Sequence, residues 1–181
     1  MDINKSNSVN WNEIKLIIFD CDGVLTDGKI IYSEDNSELK NFSAHDGMGF
    51  FLLNRAGLIS AVITGRSSKS LLKRCNDLSI KHVLQGIHKK LEAAQNLIDR
   101  LEIEWHQVVY TGDDWNDIPV MQKAAFSFCP ANAMPEIQQL ADYTTKRDAG
   151  HGAVREVIDF ILYKKGIYNK IIEQYLDEIT N

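Results

Sequence analysis

Asp20 and Asp22 close a short apolar run, in the stretch Asp20-Cys-Asp22-Gly-Val-Leu-Thr-Asp27-Gly. In extended backbone, residues i and i+2 share a face, so the two carboxylates leave the strand toward one point. Like charges held that close are costly unless a cation neutralises them or one carboxyl keeps its proton. Both outcomes are chemically useful. A hard Mg²⁺ takes carboxylate and carbonyl oxygens in octahedral array. One carboxylate can then attack a phosphoryl group while the other gives a proton to the leaving oxygen. Taken alone, Asp-x-Asp fits a solvated turn equally well.

Three further clusters change the balance. Thr64-Gly65-Arg66 offers a hydroxyl, a flexible backbone position and the approach to a helix, whose N-terminal amides attract anions. Lys89 and Lys90 follow Gln85-Gly-Ile-His88, and a lysine there can balance charge on a carboxylate and a phosphate. Gly112-Asp113-Asp114-Trp-Asn-Asp117 supplies carboxylates for a second side of a metal site, with Asp117 one helical turn beyond Asp113. A helix cap explains Thr64 or Asp114 singly. It does not explain carboxylates, Thr, Lys and carboxylates arriving in that order at successive strand ends.

The elements that must position these groups read as alternating strands and helices. Apolar, β-rich runs predict buried strands over 15–20, 59–64 and 107–111, with shorter ones over 82–84, 126–128 and 143–145. Helical spacing predicts helices over 47–56, 68–78, 89–101, 116–124, 134–140 and 153–164. That alternation implies an α/β, doubly wound, mostly parallel sheet in a three-layer sandwich, where ligands bind beyond the carboxyl ends of the strands. One segment breaks the rhythm: residues 29–42 read as a β-hairpin flap about the polar turn Glu34-Asp-Asn-Ser37. The tail over 166–179 carries Ile167, Ile171, Ile172, Tyr175, Leu176 and Ile179 at helical spacing, an amphipathic helix.

The chain has 181 residues, suited to one domain spanning 1–181. Hydrophobic residues are 44%, charged residues 25% and the formal net charge is -5, an ordinary globular balance. Basic residues are scattered, which argues against a nucleic-acid partner. Cys21, Cys75 and Cys129 are too widely spaced for a zinc site or a disulfide framework and are expected to be buried thiols in a reducing compartment. The polar first fifteen residues lack a signal-peptide core, and no run reaches membrane-spanning length, so a cytoplasmic protein without a membrane partner is expected.

Together the four clusters resemble the motifs of the haloacid dehalogenase superfamily. The resemblance implies that Asp20 is the nucleophile and a Mg²⁺ ligand. It makes Asp22 the general acid/base, binding the metal through its backbone carbonyl. Thr64 and Lys90 would hold the phosphoryl oxygens and Asp113 would complete the metal ligands. Asp117 would orient Lys90, and Asp114 would support the metal site from behind. Asp22 favours phosphotransfer over dehalogenation, because an alkoxide leaving group needs a proton and a halide does not.

A narrower resemblance follows from the hairpin, His45-Asp-Gly-Met-Gly49, Gln85-Gly86 and Gly152-Ala-Val-Arg-Glu156. These resemble a capless family of sugar-acid phosphate phosphatases, acting on 3-deoxy-D-manno-octulosonate 8-phosphate (KDO 8-phosphate, a precursor in lipopolysaccharide biosynthesis) or on nonulosonate 9-phosphates. It implies substrate contacts from Ser43, Ala44, His45, Asp46 and Gly47, and from Gly65, Arg66 and Arg74. It also implies a homotetramer, in which each hairpin leans over a neighbouring site. The gaps between the motifs leave no room for a cap domain. Two alternatives stay open: a capless phosphatase acting on a macromolecule, and a binding protein on an inactive enzyme fold.

Overall fold

The computed structural model describes Ser6, residues 8–35 and residues 37–180. Residues 1–5 and 7 of the polar N-terminal stretch, Asn36 of the hairpin turn and Asn181 lie outside the described residues. The strands are β1 (Leu16–Phe19), β2 (Ile31–Tyr32), β3 (Glu38–Leu39), β4 (Ile59–Ile63), β5 (His82–Leu84), β6 (Val108–Thr111), β7 (Phe126–Cys129) and β8 (Tyr143–Thr144). Among the described residues, β5-β4-β1-β6-β7-β8 form one sheet in that order, with every neighbouring pair parallel. β1 sits centrally, with Leu16 registered against Ile59 on one side and Val108 on the other.

Alternation along β1 explains the layers. Ile17 and Phe19 face one core with α1 (Ala44–Arg55), α2 (Lys69–Asp77), α6 (Ala153–Lys164) and α7 (Tyr168–Thr180). Leu16 and Ile18 face the other, with α3 (Lys90–Arg100), α4 (Ile118–Met121) and α5 (Pro135–Leu140). Both faces are covered, so β1 is buried at every position and has no polar alternation. The three-layer, doubly wound parallel sheet expected from the sequence is the fold observed.

Several boundaries differ from the sequence reading. α1 begins at Ala44 rather than 47, because Asp46 is buried against another helix instead of facing water. Asp46 Oδ1 accepts the Arg155 backbone N–H at 2.9 Å, capping α6, whose own N-cap residue Gly152 has no side chain to do so. The expected helix over 116–124 is shorter: a 3₁₀ turn, Trp115–Asp117, leads into α4, with Pro119 in its first turn. Only two residues pair on each hairpin strand. The segment Gly152–Glu156 has a structural task as well. The Glu156 carboxylate accepts the Tyr143 hydroxyl and the backbone N–H groups of Lys146 and Arg147, tying α6 to the loop after β8. Cys21, Cys75 and Cys129 are all buried free thiols.

Candidate active site

The carboxyl ends of β1, β4, β5 and β6 deliver the four clusters to one edge of the sheet. Asp20 follows β1 directly, and its backbone N–H still pairs with Thr111 O at 3.0 Å, so the side chain leaves from a fixed point. The chain then turns tightly, with Cys21 O accepting N–H groups from Val24, Leu25 and Thr26. Gly23 makes this turn possible. Its φ is +88°, and a Cβ there would stand 2.0 Å from Asp113 Oδ2. Gly112 is equally constrained, since a Cβ would stand 2.4 Å from the Asp117 side chain. Gly23 therefore lets the first acidic motif approach Asp113, while Gly112 lets Asp117 of its own motif fold back against the strand end.

Asp117 is fully buried, and both of its oxygens are in use. Oδ2 accepts the backbone N–H groups of Asp113 at 3.0 Å and Asp114 at 3.3 Å, which shapes the loop presenting Asp113. Oδ1 accepts from Lys90 Nζ at 2.7 Å and from the Tyr110 hydroxyl at 2.5 Å. Lys90, its side chain 1% exposed, also lies 3.0 Å from Asp20 Oδ1 as an ion pair. Burial alone would lower the Lys90 pKa, yet the charges of Asp117 and Asp20 hold it above the ordinary lysine value. Lys90 is therefore a permanent cation between the two carboxylates. Lys89 points away, 84% exposed.

One oxygen each from Asp20, Asp113 and Asp117 lies within 4.8 Å of the others. Asp117 is saturated by four donors, so we do not count it among metal ligands. Asp113 Oδ1 is buried without a hydrogen-bond partner, and buried Asp20 Oδ1 meets only the Lys90 ammonium. Burial, with Asp117's charge adding and Lys90's opposing, pushes the Asp20 carboxyl up to about 7. Burial, with the charges of Asp20 and Asp117, pushes Asp113 up to about 8. An unpartnered Asp113 oxygen beside an Asp20 carboxylate whose one charged neighbour is Lys90, both buried and repelling each other, fits a hard divalent cation with oxygen ligands.

The remaining expected residues divide. Thr64 is buried at the end of β4, and its hydroxyl accepts the Arg66 N–H at 3.4 Å. The next helix, α2, starts only at Lys69, capped by Ser68, so the Thr64-Gly65-Arg66 turn is not itself a helix N-terminus. Asp114 is exposed and accepts the Trp115 N–H at 2.7 Å, capping the 3₁₀ turn that follows the Asp113 loop. Ser43 to Gly47 lead into and open α1. Ser43 O is taken by Arg74 Nη2 at 2.9 Å and Asp46 Oδ1 by Arg155, while Ala44 and His45 are exposed. Arg66 reaches the hairpin, 2.5 Å from Glu38 Oε2 and 3.3 Å from the Tyr32 hydroxyl.

Sequence reasoning missed Lys40, Glu38 and Tyr110. Lys40 folds back from the hairpin onto the Asp22 carboxylate, its side chain 1% exposed. The one available signal was alternation: Glu38 and Lys40 share a strand face opposite exposed Leu39. Tyr110 reads as one more apolar strand residue, and only its partner Asp117 shows why the hydroxyl is there.

An open parallel sheet with two acidic loops and a buried lysine at its carboxyl edge defines a class of carboxylate-based hydrolases. The chain belongs to the haloacid dehalogenase-like hydrolases, matching that family over residues 79–158 and sharing extended identity with its members. It is 42% identical over 153 residues to the 3-deoxy-D-manno-octulosonate 8-phosphate phosphatase of Escherichia coli K12, covering 84% of this chain and 81% of that one. The crystal structure of the Moraxella catarrhalis phosphatase of the same name, in complex with magnesium, phosphate and KDO, superposes with a TM-score of 0.91 at 35% identity. The match spans 97% of this chain and 99% of that one. The cobalt-bound Haemophilus influenzae enzyme matches with a TM-score of 0.84 at 35% identity, over 87% and 92% of the two chains. Among the described residues, no helix is long and apolar enough to cross a membrane.

Proposed function

We propose that this protein is a Mg²⁺-dependent phosphatase that hydrolyses KDO 8-phosphate to KDO and inorganic phosphate. The observation that carries this reading is Asp20: buried at the end of the central strand, held 3.0 Å from Lys90, and grouped with Asp113, whose Oδ1 is buried without a partner. The likeness to KDO 8-phosphate phosphatases over most of the chain supports the substrate.

In this reading Asp20 attacks phosphorus and carries the phosphoryl group as an acyl phosphate, and water then releases phosphate. Asp22 gives a proton to the departing sugar oxygen and takes one from the attacking water. Thr64 and Lys90 hold phosphoryl oxygens, and Asp117 keeps Lys90 aimed. The Asp20 and Asp113 carboxylates and the Asp22 carbonyl would hold Mg²⁺, which when bound offsets the negative charge of carboxylates and phosphate. Arg66, Arg74 and the turn from Ser43 to Gly47 would meet the sugar acid.

The hairpin exposes Ile30, Ile31, Tyr32 and Leu39, each 41–65% accessible, more apolar surface than a two-stranded flap retains in water. We assign this surface to a neighbouring copy in a cytoplasmic homotetramer, where closed symmetry makes every hairpin contact equivalent. One preparation tests both parts. With Mg²⁺, KDO 8-phosphate should exceed hexose phosphates and nonulosonate 9-phosphates at least tenfold in kcat/KM, roughly 1.4 kcal/mol of transition-state binding. The same sample should sediment as a tetramer at micromolar concentration. A flat substrate profile would overturn the substrate, and a monomer that discriminates well would overturn the assembly.

A further inference from the structure

The Asp22 side chain is held by the flap through a charged donor, with the Cys21 thiol a weak second donor to the same oxygen. Lys40 Nζ donates to Asp22 Oδ1 and lies 2.9 Å from Glu38 Oε1. Glu38 is in turn fixed by Arg66, so Asp22, Lys40, Glu38 and Arg66 form a chain of alternating charge from the site to its rim. The Lys40 side chain is 1% exposed, although its backbone belongs to a projecting hairpin. Meanwhile Asp22 Oδ2 is buried with no hydrogen-bond partner. An aspartate on a turn has two equivalent oxygens and free side-chain torsions. Here one oxygen is pinned and the other is kept vacant.

We propose that Lys40 is a positioning residue for proton transfer: by engaging Asp22 Oδ1 it presents Oδ2 alone to the leaving group and then to water. This rests on the phosphatase reading and deepens it. As the bond between phosphorus and the leaving oxygen breaks, its electron pair stays on that oxygen. The proton on Oδ2 passes to it, giving the neutral alcohol and leaving Asp22 as a carboxylate. The Lys40 ammonium beside Oδ1 stabilises that new anion at the moment it forms, and it is already in place, so little reorganisation is needed. When water attacks the acyl phosphate, the same oxygen takes the proton back. The hairpin thus aims the acid in its own subunit, in addition to any surface it presents to a neighbour.

Aryl phosphates separate aiming from sugar recognition, because a series of substituted phenyl phosphates varies leaving-group basicity at nearly constant shape. A p-nitrophenolate departs without a proton, whereas a basic phenolate gains from one. Rates should be taken as kcat/KM with saturating Mg²⁺, which reads events only up to loss of the leaving group. Lys40→Met should steepen the dependence on leaving-group basicity. Its loss on the most basic phenolate should be at least about tenfold greater than its loss on p-nitrophenyl phosphate, within the range general acid catalysis supplies. Lys40→Arg, which keeps a donor cation, should recover part of the difference. Asp22→Asn should show the same selectivity, and adding Lys40→Met to it should cost little more. If Lys40→Met slows the whole series uniformly, or not at all, while Asp22→Asn is selective, the assignment of Lys40 falls and the acid role of Asp22 stands. If Asp22→Asn is itself unselective, the acid reading falls and takes the proposal with it.

Discussion

Asp20→Asn removes the nucleophile while leaving the protein folded, and kcat should drop by about 10⁴-fold or more, as for other enzymes stripped of a covalent nucleophile. The substitution is nearly isosteric and relieves a local conflict. Asp20 carries a buried carboxylate whose ionisation is opposed by burial first and by Asp117 second. An amide has no such charge to desolvate, so the metal-free variant should melt no lower than the wild type at pH 8. Loss of turnover together with a preserved or raised Tm assigns the effect to chemistry. A variant that retains near-normal hydrolysis would remove Asp20 from the mechanism.

Removing the metal should abolish turnover altogether, and Mg²⁺ should restore it. Ca²⁺ should bind and inhibit, because it prefers looser and higher coordination. The same site predicts an unusual pH dependence for the metal-free protein. Asp20 and Asp113 titrate near 4 when unfolded but at about 7 and about 8 when folded. A raised carboxyl pKa means that the folded state holds protons the unfolded chain has released. Their stabilising contribution is therefore complete below about pH 4 and is lost as pH rises through 7 to 8. Asp46, pushed up to about 6 chiefly by burial, acts in the same direction. Chelator-treated protein should accordingly melt at lower temperature at pH 8 than at pH 5.5. Mg²⁺ at about a hundred times its Kd should contribute about 2.7 kcal/mol at pH 8, several degrees in Tm for a chain of this length. At pH 5.5, where the cation must displace protons, the gain should be much smaller. Equal Mg²⁺ shifts at the two pH values would contradict the assignment of these carboxylates.

How much of this was legible from sequence depends on how local the cause is. β1 and β6 announce themselves because burial on both faces forces continuous apolar runs. Asp20 and Asp113 announce themselves because a metal site needs carboxylates at a strand end and glycines beside them. Asp46 reads as a substrate contact, and its further task, capping a helix more than a hundred residues away, rests on a contact only the folded chain creates. Asp114 is ambiguous for the opposite reason, since a cap and a metal-site carboxylate use the same residue type in the same place. The helix expected over 116–124 was cut short because Asp117 must turn inward to meet Lys90. Lys40 stayed hidden because its ion pair with Asp22 depends on how the hairpin folds back, which alternation over a few residues cannot specify.

The most direct test of the account is to catch the phosphoryl group on Asp20. The protein, saturated with Mg²⁺ and mixed with KDO 8-phosphate in slight excess, would be acid-quenched within the first turnover and treated with borohydride, which reduces an acyl phosphate to the alcohol. Peptide mass spectrometry should then find homoserine at position 20 and unchanged aspartate at positions 22, 113 and 117. Stoichiometric release of phosphate with position 20 unmodified at every quench time, including times at which turnover is incomplete, would mean that water attacks the substrate directly and that the central claim is wrong.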